Sequence, residues 1–76
     1  MKELLAVIAK HLADNPDAVT VKDYMDDDAL ILELHVSDDD MGKVIGKQGR
    51  IAKAIRTVIK AAAIYEDKKV VVKIMQ

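Results

Sequence analysis

The chain has no cysteine, no phenylalanine and no tryptophan, and only two tyrosines. Without cysteine there is neither a disulfide framework nor a thiolate metal site, which fits a reducing compartment. Without Phe or Trp the core has to be aliphatic, made from Leu, Ile, Val, Ala and Met. No apolar run approaches the roughly 20 residues that cross a bilayer, so no membrane insertion is expected. The opening stretch MKELLAVIAKHLADNP carries Glu3, is amphipathic and is not followed by a small-residue cleavage site. It therefore reads as a helix of the mature fold rather than a leader. Glycine is scarce as well, with three residues, all between Gly42 and Gly49. A length of 76 residues predicts one small domain, 1–76, near the lower size at which a core forms without staples.

What is present is periodic. Leu4, Leu5, Ile8 and Leu12 share a helical face over residues 2–13, and Asn15-Pro16 ends that helix. Residues 18–24 alternate, with Val19 and Val21 on one side, and predict an edge strand. A polar turn at 25–29 (MDDDA) leads into the clearest strand, 29–36. There Leu30, Leu32, Leu34 and Val36 line one face, with Ile31, Glu33 and His35 on the other. Ser37 is placed to cap a short helix over about 38–45, with Asp38 to Asp40 at its positive end. Gly46 and Gly49 are expected to break it, and a further helix runs from near Arg50 to Tyr65. Residues 68–75 alternate again and close the chain as a strand. The order α-β-β-α-α-β predicts an α+β fold: a three-stranded sheet with three helices packed on one face.

Charge is unevenly distributed. Residues 41–65 hold Lys43, Lys47, Arg50, Lys53, Arg56 and Lys60 and no acid, for +6. The remainder holds six bases and all thirteen acids, for −7. One surface suited to an anion and another that repels it follow from that separation. The turn Gly46-Lys47-Gln48-Gly49 sits inside the basic run. Glycine there admits positive φ and close approach of another backbone. The helix that restarts at Arg50 offers free N–H groups and a positive dipole end. On that helix Ile51, Ala54, Ile55, Val58, Ile59 and Ala62 fall in a core sector. Arg50, Lys53, Arg56 and Lys60 form a separate basic ridge. A turn alone suits one phosphate; a turn continued by a ridge suits a strand of several, with Val44, Ile45 and Ile51 as an apolar floor.

Other chemistries lack their residues. Gly46-Lys47 is followed by Gln48, so the phosphate-loop pattern ending in Lys and Ser or Thr is absent, as is G-x-G-x-x-G. Ser37 is the only serine and occupies a cap. Asp26 to Asp28 read as a solvated turn without EF-hand spacing, and His11 and His35 have no metal-site spacing. Neither an enzyme, a metal nor a cofactor is expected.

VIGKQGRIAKAIR, with a helix on each side, resembles the VIGxxG core of KH domains, and the element order is similar to their type II arrangement. Length and context are most similar to the small bacterial single-KH RNA-binding proteins of the KhpA type. Ala52 is a departure, since many KH domains carry a large aliphatic residue three positions after the second glycine. The resemblance implies single-stranded RNA, about four nucleotides of it, in a narrow groove. Gly46, Lys47, Gln48 and Gly49 would clamp the backbone, with Val44, Ile45 and Ile51 lining the groove. Lys43, Arg50, Lys53 and Arg56 would supply charge, and the acidic loop between the first two strands would flank the site. Tyr24 and Tyr65 lie outside the motif, so base stacking is expected to be weak. The resemblance further implies a cytoplasmic homodimer, a heteromer with a larger multidomain KH protein of the KhpB type, and a post-transcriptional or RNA-chaperone role in cell-envelope growth and division. The contrasting expectation is a protein–protein adaptor with little RNA binding of its own, using Ile31, Val71 and Met75 as an exposed dimer surface.

Overall fold

The computed structural model describes residues 1–75, and for residue 47 the backbone only. Helix α1 spans Lys2–Leu12 and is followed by a single 3₁₀ turn, Pro16–Ala18. Strands β1 (Thr20–Asp26) and β2 (Ala29–His35) form an antiparallel hairpin. The helical segment α2 covers Asp38–Tyr65, and β3 (Lys69–Met75) pairs in parallel with β2. The sheet order is β1-β2-β3, with β2 central. None of the described helices is long and apolar enough to cross a membrane.

Two boundaries move from their expected places for local reasons. The 3₁₀ turn closes through Val19 N–H donating to the Pro16 carbonyl at 3.1 Å, so β1 begins at Thr20 rather than residue 18. At its far end Met25 and Asp26 pair with Leu30 and Ala29, leaving only Asp27 and Asp28 as the turn. Asp27 takes the left-handed conformation, φ 54°, which Asp tolerates better than most side chains.

α2 is one helical segment by range but not one straight rod. An unbroken helix of its 28 residues would extend about 42 Å at 1.5 Å per residue. The largest extent of the protein is 33 Å. The right-handed course is interrupted at Gln48 (φ 65°) and Gly49 (φ 71°), which divides α2 into an N-terminal arm and a C-terminal arm. With the arms counted separately the order is α-β-β-α-α-β, as expected. Gly46, by contrast, does not have a positive φ, so the break lies at Gln48-Gly49 and not at both glycines. The C-terminal arm ends in a left-handed turn at Asp67 (φ 53°). There the N–H groups of Asp67 and Lys68 donate to the carbonyls of Ile64 and Ala63, which satisfies the last turn.

The helices pack on one face of the sheet. Leu5 and Ala9 of α1 and Ile55, Ile59 and Ala63 of α2 meet Leu32, Leu34, Val70 and Val72 of the sheet. In α1 the buried line runs through Leu5 and Ala9, one turn apart, and Leu4 and Leu12 lie at its exposed rims. In the C-terminal arm the buried line is Ala52, Ile55, Ile59 and Ala63, while Ala54 and Val58 of the expected core sector are exposed. A stripe at i, i+3, i+7 and i+11 follows the helix–sheet contact more narrowly than the six-residue sector. On the opposite face of the sheet Ile31 is only 5% exposed, so it does not form the expected surface. It occupies the central strand between Tyr24 and Val71 in register, and its neighbours shield it.

Candidate functional site

The site is built on the start of α2. Ser37 accepts a hydrogen bond from the Asp40 N–H at 3.2 Å and caps the helix. Asp40 is 1% exposed, and its carboxylate reaches across to the end of α1, accepting from the N–H groups of Asp14 (2.8 Å) and Asn15 (3.0 Å). The Ser37 hydroxyl also donates to it at 3.1 Å. The Asp14 N–H, then those of Asn15 and the Ser37 hydroxyl, hold the Asp40 carboxyl below its ordinary range against the opposing effect of burial. Lys43 completes the junction by donating to the Leu12 carbonyl at 2.8 Å and lying 3.4 Å from the Asp14 carboxylate.

Two turns further on, the left-handed pair Gln48 and Gly49 turns the chain. Gln48 is a non-glycine residue at φ 65°, a conformation that costs about 1–2 kcal/mol for an L side chain. Its side chain is exposed, and it makes none of the side-chain hydrogen bonds found among the described residues. The Lys47 side chain lies outside the described residues. Beside this turn an open groove of about 230 Å³ is lined by Ile45, Gly49, Ala52, Lys53, Arg56 and Ile74. One wall is therefore α2 on both sides of its break, and the other is the outer edge of β3.

The expected site residues divide into those the groove gathers and those it does not. Ile45, Gly49, Lys53 and Arg56 line it, and Ile45 is 56% exposed. Val44 turns into the core at 7% exposure, and Ile51 is half-buried against it. Arg56 is half-buried, with its Nε donating to the Val72 carbonyl at 3.4 Å on the β3 edge. Lys43 is engaged at the α1 junction. Arg50 and Lys53 are exposed and form no ion pair among the described residues. The floor is Ile45, Ala52 and Ile74 instead of Val44, Ile45 and Ile51. Ala52 stands where a larger side chain would narrow the groove. Ile74 lies in the last strand and carries no signal near the glycines.

The acidic β1–β2 turn does not flank this groove. In the parallel register Leu34 pairs with Ile74 and Ala29 with Lys69, so the turn lies at the other end of β3, about 16 Å of strand away. Asp28 lines a separate cavity with Met25, Leu30, Asp67, Lys68 and Lys69. Among the described residues no group of three or more His, Cys, Asp or Glu could hold a metal ion.

Residues 2–74 match the family model described as KhpA/KhpB, KH domain. The chain is 65% identical over 75 residues to the RNA-binding protein KhpA of Clostridium perfringens, covering 99% of this chain and all of that protein. It is 64% identical over 75 residues to the RNA-binding protein KhpA of Clostridium acetobutylicum, with the same coverage. Among solved structures it is similar to Era in complex with MgGDPNP and nucleotides 1506–1542 of 16S ribosomal RNA, with a TM-score of 0.67 at 20% identity. That match spans 97% of this chain and 28% of the Era chain, and at such identity it is a likeness of fold.

Proposed function

We propose, since this chain belongs to the KhpA/KhpB family of KH domains and has the type II KH fold, that it binds single-stranded RNA in the groove beside Gly49. The family is non-enzymatic, and the reading is of a binding protein. The observation that carries it is the pairing of an exposed left-handed turn with a groove whose floor is apolar and whose charged lining, among the described residues, is Lys53 and Arg56. Gly46, Lys47, Gln48 and Gly49 clamp the RNA backbone, and the dipole at the start of the C-terminal arm favours a phosphate there. Ile45, Ala52 and Ile74 receive bases, and Lys53, Arg56 and Arg50 supply charge. Affinity rests on phosphate contacts, so it falls with salt.

Around this site the reading extends to a single KH domain acting in the cytoplasm as a post-transcriptional regulator or RNA chaperone, in service of cell-envelope growth and division. It acts as a homodimer and in a heteromer with a larger KH protein of the KhpB type. The adaptor reading is favoured by one observation of its own: Val58, Ile64 and Tyr65 on the C-terminal arm are 45%, 79% and 94% exposed. Such apolar exposure suits a protein partner.

A fluorescence-anisotropy titration of a short, labelled, unstructured RNA at low and moderate salt separates the two. The wild-type chain is expected to bind with salt-sensitive affinity, and the Lys47→Asp, Gln48→Asp double variant to lose binding while keeping its thermal midpoint. Aspartate tolerates the left-handed conformation of position 48, so the backbone is not disturbed. Equal binding by both proteins, or none by either, favours the adaptor.

A further inference from the structure

The groove beside Gly49 is followed by a second cavity between α2 and β3. Lys53 and Arg56 stand beside Ile74, whereas Lys60 and Ile64 stand beside Val70 and Val71, so the C-terminal arm and β3 run antiparallel past two successive open cavities. The second compartment is an open cavity of about 430 Å³ whose charged lining consists of Lys60, Lys68 and Lys69, with no acid. None of these three lysines forms an ion pair among the described residues. Ile64 and Val71 border the cavity and are 79% and 38% exposed. Arg56, held on the Val72 carbonyl, separates the two compartments.

We infer that this second compartment is a further RNA subsite, so that a bound strand continues past Arg56 along the outer edge of β3. The inference rests on the RNA reading of the first groove. Charge and adjacency both favour the same strand as occupant: three lysines without an ion pair among the described residues meet phosphates, and Ile64 and Val71 offer apolar surface to base faces. From Lys53 to Lys60 the ridge advances about 10 Å along the helix, and from Ile74 to Val70 the strand advances about 13 Å. That added length accommodates more than one additional phosphate. The excess of positive charge also ends there, because in the next cavity, on the hairpin side, Asp28 and Asp67 offset Lys68 and Lys69.

The test is an anisotropy titration of labelled oligouridines of four and eight nucleotides over a range of salt. The proteins are wild type, Lys60→Glu with Lys68→Glu, and a charge-matched control, Lys2→Glu with Lys22→Glu, each shown to be folded by circular dichroism. For wild type the octamer is expected to bind more tightly than the tetramer, with a salt slope steeper by about 0.7 for each added phosphate contact. The Lys60, Lys68 variant should lose that extra slope and bind the octamer several-fold more weakly, while its tetramer affinity stays within about twofold. The control should retain the octamer advantage. An octamer advantage that survives in the Lys60, Lys68 variant overturns the subsite. So does an equal weakening of both RNAs by both variants, which is a general charge effect. If wild type binds neither RNA, the reading of the first groove fails, and the subsite with it.

Discussion

α2 contains two junctions about ten residues apart that are built in opposite ways. At its start, Asp40 is buried and satisfied by two backbone N–H groups and a hydroxyl, and Lys43 ties the same place to α1. At its break, Gln48 is exposed and strained, and its side chain makes no hydrogen bond among the described residues. The first junction is over-determined by contacts, and at the second the Gln48 side chain has none of the hydrogen bonds found among the described residues. On the proposed reading the loop closes on an RNA backbone with its polar groups free, and the anchor upstream fixes where it stands. Asp40 at the first junction serves the fold, whereas Arg50 and Lys53 near the second form no ion pair among the described residues.

Removing the anchor should have the largest effect. Asp40→Ala leaves the N–H groups of Asp14 and Asn15 buried without an acceptor. We expect the thermal midpoint to fall by more than about 15 °C, measured by circular dichroism. Because the Asp40 carboxyl is held below its ordinary range, its contribution is complete above the unfolded value near 4. It is lost as pH falls through the lower folded value. Asp40→Asn should therefore flatten the acid limb of the stability–pH curve. An unchanged acid limb would place the stabilisation elsewhere.

At the break the effects are smaller and of backbone origin. A Cβ on Gly49 would meet nothing within 4 Å, so Gly49→Ala is strained only through φ 71°. It should lose roughly 1–2 kcal/mol in urea unfolding. Smaller still, and opposite in sign, are the two helical glycines. Gly42 and Gly46 are also free of neighbours within 4 Å, and replacing either by Ala should stabilise by roughly 0.5–1 kcal/mol. Only Gly46→Ala should weaken RNA binding in the anisotropy titration, because in the proposed clamp its methyl would intrude on the RNA backbone. Equal binding by the two variants would remove Gly46 from the clamp.

The α+β class, the element order and the glycine turn within a basic run were legible in the residues, because each is a local pattern. β2 and β3 lie within a residue of their expected ends, since period-two alternation marks a strand strongly. Position across the chain was not legible. Lys43 looks like one more base of the ridge, and only folding brings it to the Leu12 carbonyl, 31 residues away. Ile74 looks like one more alternating apolar residue until the parallel pairing of β3 sets it beside Gly49. The same register removes the acidic turn from the groove, which no local pattern could reveal.

The pairing of β3 with β2 also sets an order of assembly. The hairpin joins neighbours such as Asp26 and Ala29, whereas each β2–β3 pair spans 40 positions, as between Ile31 and Val71. Local pairs close in microseconds, and distant ones bear the entropy of a long loop first. A nascent chain extended only through α2 carries the turn and the basic ridge, yet the wall that holds Ile74 does not exist. On the proposed reading, recognition therefore waits for the last strand to pair, and a chain still being synthesised cannot bind before its fold is closed.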